Sequence, residues 1–381
     1  MLSLLHCMGM NNPKCSLCGG KMKRHGKTAA GTQRWQCMSC KASTTHKYDD
    51  TVKLFKQFLA WLLSKQRQLD MPGAGRTFRR KTVRFWSLWP MPPVTGEIHR
   101  VVYVDGIYLA RKIVVLIARS DNHVLGWYMA RSENASAWAA LMFRIAPPDM
   151  VISDGGPGFE KARRKMWPKT AVQRCTFHAF SQVRRYTTSR PKLQAGVELY
   201  ALAKRLLHIK TLHQASVWVE DYNTWCTRWA EFLAEVTITD GRKTFTHERL
   251  VKARNGLTAL VNKRTLFTYL DPKLTEDGPL PKTNNKLEGG VCAPLRQMLR
   301  EHRGMSVMRR IKAVYWWCYM HTECPMSPAE ILKTMPTDED IDYLYRMYSQ
   351  GGQPEDGPVR WGDAVVWSEL HKSDSYRMDW D

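Results

Sequence analysis

Arg100-Val-Val-Tyr-Val-Asp105-Gly106, Ile113-Val-Val-Leu-Ile-Ala118 and His123-Val-Leu-Gly-Trp-Tyr-Met129 are runs of β-branched and aromatic residues separated by polar turns. They predict a meander of three strands. Downstream, Asn134 is placed to cap a helix through Ile145, and Met150-Val-Ile-Ser-Asp154 reads as a fourth strand. The turn Gly155-Gly-Pro-Gly158 opens a basic helix ending near Trp167-Pro168, and Ala171-Val-Gln-Arg-Cys175 is a fifth strand with a helix from about Phe177. Upstream the period is helical as far as Trp89-Pro-Met-Pro-Pro93, which reads as a stiff linker because successive prolines block both helix and ladder.

The order βββαβαβα is that of a ribonuclease-H-like α/β domain, in which the first and fourth strands are neighbours. Asp105 on the first and Asp154 at the end of the fourth then converge. An ionised carboxylate in an apolar strand is costly unless it is paired or binds a cation, so Asp105 reads as a metal ligand. The alternative is an Asp that opens a turn with Gly106. Two-metal phosphoryl transfer clamps ions roughly 3.5 to 4 Å apart with hard oxygen ligands, and two aspartates are too few for that. Thr283-Asn-Asn-Lys-Leu-Glu288-Gly-Gly290 supplies a third carboxylate, Glu288, between a proline-rich loop and helical sequence. The plainer reading of this stretch is that Asn284 or Asn285 caps a helix.

Taken together, Val-Asp105-Gly, Ser-Asp154-Gly-Gly-x-Gly-Phe, Cys175-x-x-His178 and Thr-Asn-Asn-x-x-Glu288-Gly-Gly resemble the Mutator-type bacterial insertion-sequence transposases, in the subgroup with an amino-terminal zinc ribbon. The resemblance runs from about Cys15 through His302-Arg-Gly304 and Trp316-Trp317. It implies DDE chemistry: Asp105, Asp154 and Glu288 ligate two Mg²⁺ (or Mn²⁺) ions, and DNA is cut at the terminal inverted repeats of an element and joined to a target. It also implies an all-α insertion between the second Asp and the Glu, serving end binding or dimerisation. Long helical stretches such as 197–209 and 215–236 agree with that. Cys175 and His178 have half the spacing of a zinc site without a matching pair, and the resemblance makes them supports of the catalytic core. Two rival functions remain open: a DNA-binding regulator with an inactive, domesticated core, and a nuclease of the same fold selective for branched DNA.

The chain has 58 Lys and Arg against 35 Asp and Glu, a net charge of +23, which points to a polyanionic partner, double-stranded DNA. Residues 1–100 carry 18 basic and 4 acidic residues, whereas residues 337–381 carry 4 basic and 11 acidic, so the amino-terminal end meets DNA first. No apolar run reaches the roughly 20 residues of a membrane span, and the opening residues lack the basic and apolar regions of a signal peptide. The expectation is a cytoplasmic, nucleoid-associated protein that works on DNA as a homodimer or higher oligomer.

Cys15-x-x-Cys18 and Cys37-x-x-Cys40 are two knuckles of a zinc ribbon holding one structural Zn²⁺. Between them Lys21, Lys23, Arg24 and Arg34 surround Trp35, a mixture suited to phosphate contact and stacking. Arg76, Arg79, Arg80, Lys81 and Arg84 project from a short helix over 77–86, read either as a recognition helix or as a basic linker helix. Arg296, Arg300, His302 and Arg303 follow Glu288 on basic helical sequence, where phosphate contact competes with a solvated face. The expected organisation is a ribbon over 11–47, a helical DNA-binding segment over 48–93, a core over 94–178 resumed over 281–335, an insertion over 179–280 and an acidic aromatic tail over 336–381.

Overall fold

In the computed structural model, residues 12–45, 50–94, 96–109 and 113–343 are described; most of the expected tail lies outside them. They form two compact units divided between Gln57 and Phe58.

In the first unit β1 (Met22–Lys27), β2 (Gln33–Cys37) and β3 (Ser43–Thr45) make an antiparallel sheet in that order. Its core is small: Cys15, Met22, Trp35 and Cys37 are the buried cluster. Helix α1 (Thr51–Leu62) follows and crosses the division.

The second unit is built on a five-stranded sheet of β4 (Val101–Leu109), β5 (Ile113–Arg119), β6 (Val124–Ala130), β7 (Met150–Ser153) and β8 (Ala171–Arg174). The order is β6-β5-β4-β7-β8; β4, β5 and β6 pair antiparallel, while β4 with β7 and β7 with β8 pair parallel. It is therefore a mixed sheet with the first strand at its centre. Every residue of β6 is buried, as is all of β5 except Arg119, because both faces are covered. A side chain at Gly126 would meet Leu141 and Ile145 at and just after the end of α3 (Ala135–Phe143), whereas the next residue, Trp127, meets Tyr315 of a carboxy-terminal helix, the rings 6.0 Å apart. Successive strand residues point to opposite faces, so the two helices sandwich the sheet.

The expected cap is present: the Asn134 side chain accepts the backbone N–H of Ala137 at 2.8 Å and starts α3. α4 (Pro157–Met166) follows β7, and α5 (Thr176–Thr187) follows β8. α2 (Ala74–Thr82) lies nearer the amino terminus and continues as a tight turn to Ser87. The segment read as a stiff linker begins with a docked residue. Trp89 is fully buried, its backbone N–H bonds the Pro336 carbonyl at 2.8 Å and its indole N–H bonds Asp338 at 2.7 Å.

The insertion has its own core, in which Leu199, Trp218, Tyr222, Leu250 and Leu257 are buried between α5, α6 (Gln194–Arg205), α7 (Leu212–Arg228) and α9 (Glu248–Asn262), with the short α8 (Ala230–Ala234) beside them. It is not all-α, and the helix expected to reach Val236 stops at Ala234. β9 (Val236–Thr239) and β10 (Arg242–Phe245) form a hairpin paired from Val236↔Phe245 to Thr239↔Arg242. The cause is local: β-branched residues flank Asp240-Gly241, whose positive φ values of 51° and 73° suit the two-residue turn that a right-twisted hairpin needs.

Candidate active site

Strands β4 and β7 pair in parallel with Val101↔Met150, Val102↔Val151 and Tyr103↔Ile152. Carried forward two residues, that register sets Asp105 beside Asp154. Neighbouring strands lie about 4.8 Å apart, and residues at one level of a parallel pair face the same way. The alternative reading of Asp105 as a turn residue fails, because β4 runs on to Leu109 and Gly106 pairs with Leu116 inside it.

Glu288 reaches the same place from a distant part of the chain. Thr176 N–H bonds the Lys282 carbonyl at 3.1 Å, which returns the chain from the insertion to the head of α5. Asn284 is buried, and its backbone N–H points to Cys175 Sγ at 3.3 Å. Its side chain does not cap the following turn; Nδ2 donates to the carbonyl of Val104, next to Asp105, at 3.1 Å. That single bond ties the Glu288 turn to the strand carrying Asp105. Asn284→Ala leaves the buried Val104 carbonyl without this donor and is expected to cost about 1–3 kcal/mol, read as a lower midpoint in urea unfolding. After α10 (Pro272–Thr275) and α11 (Asn285–Leu287), Glu288–Cys292 is a single wide π turn, a form that recurs at functional sites, and α12 (Ala293–Glu301) and α13 (Val307–Met320) complete the unit.

Three groups gather round the carboxylates. Cys175 Sγ lies 4.0 Å and His178 Nδ1 3.5 Å from Glu288 Oε1. From the π turn, Cys292 Sγ lies 3.6 Å from Asp105 Oδ2. Burial pushes the Asp105 carboxyl up to about 6, with Asp154 and Glu288 adding repulsion against the Gly106 N–H, 2.8 Å away, and His178. The Cys175 thiol is the largest influence on His178, which is raised, with Glu288 and Asp154 acting the same way. Burial, then Asp105, raises the Cys292 thiol.

Glu133 is a fourth carboxylate that the sequence reading missed. Burial, then Asp154 and Asp105, pushes it up to about 7. A Cβ at Gly106 would sit 2.7 Å from Glu133 Oε1, so glycine there leaves room for this carboxylate. The available signal was its position: it follows β6, which runs in the same direction as β4 and β7, so its end lies on the same side of the sheet.

The folded state binds protons on Asp105 and Glu133 more tightly than the unfolded chain does. Their contribution to stability is therefore full below about pH 4 and is lost as pH rises through about 6 and 7. Without divalent ions the melting temperature is expected to fall between pH 5 and 7.5, with the fall reduced by Mg²⁺ and flattened in the D105N/E133Q variant. Thermal unfolding at each pH checks this, and equal slopes in the two proteins would refute it.

Residues 100–245 match the family model described as "Transposase, Mutator family". Over that stretch the chain is similar to the Mutator-family transposases. It is also similar to the transposase for insertion sequence element IS6120 of Mycolicibacterium smegmatis, 28% identical over 136 residues that cover 32% of this chain and 41% of that protein. The chain thus spans about two fifths of the length of the curated relative it matches. The family match contains Asp105, Asp154, Cys175 and His178, and Glu288 lies beyond it.

In the first unit the four cysteines converge, their sulfurs all within 4.8 Å of one another. Cys15 and Cys40 are 3.6 Å apart and Cys18 and Cys37 3.5 Å, too far for disulfides. They are near the roughly 3.8 Å edge of a tetrahedron with 2.3 Å metal–sulfur bonds. The Cys40 backbone N–H, 3.5 Å from Cys37 Sγ, is the leading cause of a thiol lowered to about 6 there, so this sulfur is readily a thiolate.

Among the basic residues named from sequence, Lys21, Lys23, Arg24, Arg34, Arg76, Arg79, Arg80, Lys81, Arg84, Arg296, Arg300 and Arg303 are exposed. Trp35 is not available for stacking on a base: it is buried in the ribbon core, and Arg24 lies over its ring at 5.9 Å. His302, read beside Arg303 as a phosphate contact, is buried with its Nε2 3.1 Å from the Leu62 carbonyl and its ring 4.6 Å from Trp61. No helix among the described residues is long and apolar enough to cross a membrane.

Proposed function

We propose that the chain is a DNA transposase that binds the terminal inverted repeats of an insertion sequence and catalyses metal-dependent cleavage and strand transfer, on a ribonuclease-H-like core. The observation that carries this reading is the convergence of Asp105, Asp154 and Glu288, two from adjacent parallel strands in register and one from the π turn beyond the insertion. The domain bounds 11–47, 48–93, 94–178 with 281–335, 179–280 and 336–381 are part of the proposal. So is assembly on DNA as a homodimer or higher oligomer.

The carboxylates fit divalent ions. Asp105 and Glu133 are half-buried carboxylates whose proton affinity burial and their acidic neighbours raise, a burden that a cation relieves. Asp105, Asp154 and Glu288 would hold two Mg²⁺ or Mn²⁺ ions, which supply activation of the attacking oxygen and stabilisation of the leaving one. In the first step the oxygen of water bonds to phosphorus at the element end as the P–O3′ bond breaks, which frees a 3′-hydroxyl; in the second that hydroxyl bonds to a target phosphorus as the target's own P–O3′ bond breaks and its 3′-hydroxyl leaves. His178 keeps Glu288 oriented, Cys292 holds Asp105, and Asn284 fixes their separation. The ribbon cysteines would hold one Zn²⁺, and the exposed basic side chains of the ribbon, α2 and α12 supply phosphate contacts.

The test is incubation with Mg²⁺ of a duplex carrying the inverted repeat that flanks the coding sequence, in competition with random duplex. Nicking at the repeat boundary followed by joining is expected. Binding without cleavage in either metal, or cutting of branched DNA irrespective of sequence, would overturn the reading.

A further inference from the structure

A second cluster of metal-binding side chains lies at the margin of the sheet, where β4 begins and β5 turns into β6. Glu97 Oε2 is 2.7 Å from His99 Nε2 and 2.8 Å from His123 Nε2. The two imidazole rings stand edge to face with centroids 5.5 Å apart, and the three donor atoms lie within 4.8 Å of one another. The side chains are largely withdrawn from water, with 23%, 19% and 14% of Glu97, His99 and His123 exposed. They open onto a cleft of 860 Å³ that Asp121, His321 and Glu323 also line.

We propose that Glu97, His99 and His123 form a divalent-metal site, distinct from the three catalytic carboxylates and from the four cysteines. Two imidazole nitrogens and one carboxylate oxygen are the donor set of a site with open positions, suited to zinc-type borderline ions and poorly to Mg²⁺, which prefers an all-oxygen shell. Metal–nitrogen and metal–oxygen bonds near 2.0–2.1 Å need donors about 3.4 Å apart, so parting each histidine from Glu97 by roughly 0.6 Å makes room for the ion. The cleft supplies water to the remaining positions. Because the ligands come from the lead-in to β4 and from the β5–β6 turn, the ion would staple together two loops that flank the central strand.

This inference does not depend on the transposase reading. The full chain, its cysteine site loaded with Zn²⁺, is titrated with Co²⁺ in excess Mg²⁺ and followed by visible absorption. The expected result is one further equivalent of cobalt with ligand-field bands and no new thiolate-to-cobalt charge transfer. Uptake should be lost in H99A/H123A and weakened at least tenfold in E97Q, with circular dichroism unchanged; if the alanine pair fails to fold, H99Q/H123Q is used in its place. Equal cobalt uptake by wild type and a folded histidine pair variant would overturn the proposal and leave Glu97 as a hydrogen-bonded bridge between two histidines.

Discussion

Replacing Asp105 by Ala is expected to lower metal-dependent cleavage of an element-end duplex by about 10³-fold or more, a loss of about 4 kcal/mol of transition-state stabilisation, while leaving end binding unchanged. Asp105 sits in mid-strand, so its carboxylate is fixed by the sheet and no nearby loop can deliver a substitute to the same point. The basic side chains proposed for DNA lie on other elements. Burial and its acidic neighbours also make the ionised Asp105 a burden on the folded state, as a carboxyl pushed up to about 6 records. Removing it should therefore hold or raise the melting temperature at pH 7.5 without divalent ions, the trade of stability against activity expected at a catalytic position. Loss of cleavage with an unchanged or higher melting temperature separates a chemical role from a folding defect. Cleavage by D105A at the wild-type rate would remove Asp105 from the mechanism.

The parts of the fold that were legible in the sequence are those that local pattern dictates. The three apolar runs before Asn134, the helix cap at Asn134 and the fourth strand ending at Asp154 are each set by residues within a few positions of one another, and the mixed sheet follows from them. The hairpin after Val236 was equally local, with β-branched residues flanking Asp240-Gly241, but it lies in the segment that the family resemblance made all-α. Individual side-chain contacts across long separations were not legible. Nothing near Asn284 says that its amide would seek Val104, 180 positions away, rather than cap its own turn. Glu133 was not read at all, because the space that the glycine at 106 leaves for it belongs to a different strand. Trp35 and His302 were read as surface groups because their neighbours are basic; aromatic rings in basic sequence are as readily packed inward, and here they are.

Cys37→Ser is expected to abolish metal binding by the ribbon and unfold residues 12–45, leaving the second unit's melting transition in place. The argument is one of scale. The ribbon buries Cys15, Met22, Trp35 and Cys37, two of them proposed ligands, and so small an apolar core cannot offset the entropy of ordering three strands. Ligation of a structural zinc by four thiolates supplies on the order of 10–16 kcal/mol, which is ample. Cys37 is the sensitive position because it is fully buried on β2, accepts the Cys40 backbone N–H and is lowered to about 6, so a serine hydroxyl there neither ionises nor binds the ion comparably. A Cβ at Gly20 would lie 3.2 Å from Cys37 Sγ and 3.3 Å from Cys18 Sγ, so the knuckle is already closely packed around the sulfurs. Cobalt-substituted wild type should show thiolate charge-transfer absorption that C37S lacks, and limited proteolysis should cut C37S within 12–45 while sparing the sheet of β4 to β8. If C37S resists cleavage within 12–45 and cobalt gives wild type no thiolate charge-transfer absorption, the ribbon is held by its packing, and the four sulfurs adjoin one another without a metal to bind them.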